Sequence, residues 1–80
     1  MKIQLIQGQF PPNEAIEVIT RMIHIKIKYH ESKISGLSSE EDIKSREAKI
    51  KGLQKDLFEV RDELLSKQGK VKMDAIINID

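Results

Sequence analysis

The sequence predicts an α+β fold in the order β-α-α-β. A long antiparallel helical hairpin is flanked by N- and C-terminal strands that pair antiparallel, and homodimerisation completes the structure. Three observations carry this expectation. Residues 43–67 repeat apolar groups at three- and four-residue steps, residues 70–80 alternate apolar and polar groups, and the 80-residue chain has no cysteine to brace so small a core.

The elements follow in order. The first strand is expected over 2–7, where Ile3 and Leu5 alternate with Lys2 and Gln4 and Gly8 ends the run. Phe10-Pro11-Pro12 forms a turn, and Pro12 suits the first helical position, where a missing N–H costs nothing. Glu14 and Glu17 then favour the positive end of a helix dipole.

The next stretch reads two ways. Residues 23–30 alternate as a strand would, with Ile23, Ile25, Ile27 and Tyr29 on one face. As a helix they continue two apolar stripes: Ala15, Val18, Met22, Ile25 and Tyr29, and Ile16, Ile19, Ile23, Ile27 and Ile34. The second stripe skips His30 with a seven-residue step. Thr20-Arg21-Met22 offers no turn residue to start a strand, whereas Ser35-Gly36 offers a stop with Gly36 as a left-handed cap. The spacing therefore favours one helix over 12–35. Two apolar stripes give it more to bury than one partner helix covers, so it should also meet a sheet or another subunit.

The second helix is expected over 39–68. Ser38 and Glu41 fit a capping box, and Glu40, Glu41 and Asp42 place negative charge at the N-terminus. A heptad seam follows through Ile43, Arg46, Ile50, Leu53, Leu57, Val60, Leu64 and Lys67, in which only Arg46 and Lys67 are out of type. Phe58 and Leu65 lie beside the seam and are expected to broaden it. Gly52 falls on the outer face, and Gln68-Gly69 closes the helix. The last strand, 70–79, sets Val71, Met73, Ala75, Ile77 and Ile79 against Lys70, Lys72, Asp74 and Asn78, with Ile76 alone on the polar face.

Size and charge bound the function. A single domain of this length is marginal unless disulfides, a metal or self-association support it, and without cysteine the first is excluded. A two-stranded ribbon is weak alone and its free edges invite a second copy. The formal net charge is +1, and residues 1–37 hold five basic and three acidic groups against nine and ten in 38–80. Neither half is a charged tail. The apolar run at residues 3–6 is too short for a signal peptide and no stretch reaches the length of a membrane span, which together favour a cytoplasmic protein.

Few residues suggest chemistry. His24, His30 and Glu31 are the only metal or proton-transfer candidates, but the two histidines sit about 120° apart on a helix and cannot share a metal within one chain. They read as surface or rim residues. Glu59, Asp62 and Glu63 lie among Lys55, Arg61 and Lys67 as a solvated helix face. No nucleophile elbow, phosphate loop or zinc-protease motif occurs. Neither catalysis nor a cofactor is expected.

The expected role is protein–protein interaction, with a homodimer and a further protein partner. The energy would come from Ile16, Ile19, Ile23, Ile27, Ile50, Leu53, Leu57, Val60 and Leu64. The alternative is a nucleic-acid-binding or regulatory protein using Arg21, Lys26, Lys28 and Lys33 on the first helix. Interleaved acidic groups and the lack of an aromatic platform weigh against it.

Overall fold

A computed structural model of the chain describes residues 1–36 and 39–80. Strand β1 (Lys2–Phe10), helix α1 (Pro12–Ile34), helix α2 (Glu40–Leu65) and strand β2 (Val71–Asn78) follow in chain order. The strands pair antiparallel as a two-stranded ribbon, and the helices pack as a hairpin. Residues 23–30 are helical throughout. Three- and four-residue spacing of their apolar groups wins over strict alternation because no turn precedes them.

The element ends differ from expectation for local reasons. Strand β1 runs on through Gly8 to Phe10. Gly8 takes φ 139°, a conformation open to glycine, and keeps its place opposite Met73. The register also shifts between Gln4 and Ile6, where Leu5 is an extra residue: Ile3 pairs with Ile77, Gln4 with Ile76 and Ile6 with Ala75. This bulge corrects a phase error in the sequence. It brings Ile3, Ile6 and Phe10 to one face, with Val71, Ala75 and Ile77 opposite them.

Helix α1 ends at Ile34 without a left-handed residue. Ser35 stays right-handed, and Gly36 does not take positive φ. The Ser32 and Ser35 hydroxyls donate to the carbonyls of Tyr29 and Ser32, and the Gly36 N–H donates to the Lys33 carbonyl. With these acceptors satisfied, the glycine cap is unnecessary. The expected Ser38 cap of the second helix lies outside the described residues. Ser39 is extended and its hydroxyl accepts the Asp42 N–H at 3.5 Å.

Helix α2 stops at Leu65, short of Gln68. The Ser66 hydroxyl donates to the Glu63 carbonyl, and the Ser66 and Lys67 N–H groups turn back to Glu63 and Leu64. Gly69, at φ 80°, then redirects the chain into β2. Lys67 thus falls beyond the helix and is exposed.

The hairpin core follows the seam. Ile16, Ile19, Ile23 and Ile34 on α1, and Ile50, Leu53, Leu57 and Val60 on α2, are half-buried, while Ile27 and Leu64 are buried. Ile19, Val60 and Leu64 border a groove shared with Val71 and Met73, where the base of the ribbon meets the helices. Ala15 is fully covered at the start of α1. The trace measures 47 × 33 × 13 Å with a radius of gyration of 15.3 Å. A compact chain of this length has about 12 Å. The molecule is therefore open and thin, and among the described residues no large side chain is fully buried.

Candidate functional site

The hairpin contains one polar layer. His30 is the buried polar residue of the described chain, 7% exposed, which overturns its reading as a rim residue. Its Nδ1 lies 2.8 Å from Nη1 of Arg46. A guanidinium can only donate, so His30 accepts and is the neutral Nε2–H tautomer. Burial, then the positive charges of Arg46, Lys49 and Lys26, hold its pKa below the ordinary histidine value. His30, the gap in the α1 stripe, and Arg46, an out-of-type position of the α2 seam, thus satisfy each other across the hairpin. Tyr29 packs edge-on against His30, and its ring lies 5.4 Å from Lys33 Nζ and 5.8 Å from the Arg46 guanidinium carbon.

This cluster does not amount to a metal site. His24 is exposed and Glu31 is exposed on the same side of the hairpin, where both border a groove with Ile27, Lys28, Gln54 and Leu57. His30 points into the seam instead. Among the described residues no group of three or more His, Asp or Glu side chains is gathered as metal ligands.

The more informative feature is apolar surface left in water. On α1 the stripe of Ala15, Val18, Met22, Ile25 and Tyr29 is covered only at its start, at Ala15 and Val18. Met22, Ile25 and Tyr29 remain exposed, Ile25 at 70%. Phe58 and Leu65 on α2 are exposed at 75% and 74%, so they do not broaden the seam as expected. They flank a groove with Gln54, Leu57, Arg61 and Asp62. On the ribbon, Ile3, Leu5, Ile76, Ile77 and Ile79 are all exposed.

Area measures the excess. The chain exposes 6402 Å². A compact monomer of 9.2 kDa exposes about 4,900 Å² by the usual surface scaling, which leaves roughly 1,500 Å² more than a closed fold would.

The charged candidates are distributed around α1. At about 100° per residue, Arg21 and Lys28 fall on one side of the Met22–Ile25–Tyr29 stripe, and Lys26 and Lys33 on the other. Arg21 is engaged by Glu17 at 2.7 Å, one turn back. Lys44 and Lys55 pair loosely with Glu40 and Glu59 on α2. Such exposed pairs contribute little to stability. No helix of the described residues is long and apolar enough to cross a membrane.

Sequence reasoning missed the His30–Arg46 contact, although the signal was present. Each residue fills a gap in an otherwise aliphatic stripe, and antiparallel packing sets the two gaps face to face. No protein-family model, curated protein or solved structure matches the chain.

Proposed function

We propose that this protein is a non-catalytic interaction module that self-associates, as a cytoplasmic homodimer, through the free edge of its ribbon and the exposed face of α2. The excess surface carries the reading. Specific interfaces bury on the order of 800 Å² per partner, and obligate ones more. Covering roughly 1,500 Å² on each of two chains would reach the obligate range of about 2,000–5,000 Å² in total. The uncovered groups are of the right kind. Phe58, Leu65, Ile76 and Ile77 are large and apolar, and such surface on a monomer marks an interaction site. The ribbon supplies unpaired backbone groups along two edges, which a second copy can extend into a four-stranded sheet.

Light scattering coupled to size-exclusion chromatography, over a wide concentration range, tests this. The expected result is a mass of twice 9.2 kDa. A well-folded monomer at all concentrations would refute self-association.

A further inference from the structure

We propose that the Met22–Ile25–Tyr29 stripe of α1 docks an amphipathic helix with acidic flanks, belonging to another protein. This rests on the reading of the chain as an interaction module and names the partner chemistry that one of its faces fits.

Spacing comes first. Val18, Met22, Ile25 and Tyr29 follow four-, three- and four-residue steps and fall within about 60° of arc. The stripe is therefore straight and spans about 16 Å, three helical turns. Its centre lies about 130° round the helix from the seam stripe. The partner helix α2 consequently cannot reach it, and Met22, Ile25 and Tyr29 stay exposed. An apolar row of this spacing is what a second amphipathic helix covers.

Charge then selects the occupant. The stripe is bounded by Arg21 and Lys28 on one side and by Lys26 and Lys33 on the other. Between residues 21 and 33 the only acidic residue is Glu31, which faces the groove shared with α2. Arg21 is already held by Glu17, so the charge of the rims is carried by Lys26, Lys28 and Lys33, and a second copy laid antiparallel on this stripe would bring like charge toward them, which is unfavourable. A helix with glutamate or aspartate on both sides of its apolar row would meet opposite charge on both rims. Duplex nucleic acid would engage the cations but leave Met22 and Ile25 in water.

Tyr29 has neighbours on the helix surface that favour one placement of its ring. Its ring is held against His30 at 5.6 Å between centroids, with Lys33 and Arg46 nearby. An aromatic anchor fixed before binding loses less freedom on association.

The test uses the full chain and two fluorescein-labelled peptides of about 18 residues, five helical turns. Both repeat leucine at the spacing of the stripe, one with glutamate flanks and one with lysine flanks. Fluorescence anisotropy should show the glutamate peptide binding at least about tenfold more tightly. Its affinity should fall as salt rises, since the rim charges are exposed. Ile25→Asp, at a position exposed enough to leave folding intact, should weaken binding roughly tenfold or more. Paired Lys26→Glu and Lys28→Glu should weaken it while leaving helical content unchanged.

Equal binding of both peptides, or full binding by Ile25→Asp, would overturn the proposal. So would capture by phosphatidylglycerol vesicles or duplex DNA with no binding of the glutamate peptide. Dissociation of a wild-type dimer by Ile25→Asp would assign the stripe to the copy interface and also overturn it. A monomeric wild-type chain that binds the glutamate peptide would refute the homodimer and leave this proposal standing.

Discussion

Truncating Leu64 should be among the most damaging conservative changes to this chain. Leu64 is 8% exposed, in the last turn of α2. It lines a groove with Ile19 and Val60 of the hairpin and Val71 and Met73 of the ribbon, so its loss would widen the space between the two halves of the fold. Leucine-to-alanine changes at buried sites cost about 2–5 kcal/mol, and more where the gap cannot collapse. Here a groove already opens beside the site, so the lower half, about 2–3 kcal/mol, applies. A chain of this size has on the order of 4–12 kcal/mol in total. Each kcal/mol shifts Tm by about 4–8 °C in small domains, so Leu64→Ala should lower Tm by roughly 10–20 °C. Thermal unfolding by circular dichroism, at one fixed protein concentration, measures this directly. Glu63→Ala, on the exposed side of the same turn, should shift Tm by no more than a few degrees. A Leu64→Ala protein that melts with the wild type would refute the claim that this buried side chain is part of the core that holds the fold.

Leu57→Asp places a carboxylate in the middle of the helix seam and should unfold or dissociate the protein; unchanged melting and mass would show the seam to be misassigned. Gly52→Ala should raise stability by about 1 kcal/mol, because alanine loses less backbone freedom in a helix. Gly52 is helical, and the added methyl group would meet no atom within 4 Å; a lower melting temperature would show a hidden contact there. The His30 pKa is depressed in the fold, so its contribution to stability is complete above the ordinary value of 6.5 and is lost as pH falls through the folded-state value. Unfolding titrations from pH 7 down to about 5 should show falling stability in the wild type and a flatter profile in His30→Gln; identical profiles would remove the His30–Arg46 layer as the cause.

Much of the architecture was legible in the sequence because two periodicities were clean. The step pattern of Ile43 to Leu64 specified α2, and the alternation of Val71 to Ile77 specified β2. Strand β1 was harder. Leu5 and Ile6 are adjacent apolar residues, a break in alternation that a reading of Ile3 and Leu5 as one face passes over, whereas in the structure it marks the bulge. Gly8 similarly reads as a stop, yet it continues the ladder in a conformation that only pairing with β2 reveals. Surface exposure was the least legible property. Phe58 and Leu65 sit beside a seam, and sequence alone does not say that the facing helix is too narrow to cover them. Likewise His30 reads as one more polar residue until antiparallel packing brings Arg46 to it.

The bulge at Leu5 has a consequence for stoichiometry. A flat two-stranded ribbon with two equivalent open sides could add copies without limit and grow into a fibril. A bulge sharpens local twist and spoils the straight row of backbone donors and acceptors that an incoming strand needs. Only β1 carries one. The regular outer side of β2 would then be the single competent surface for strand addition. Two chains joined there would each present a distorted outer strand to solvent, and growth would end at a pair.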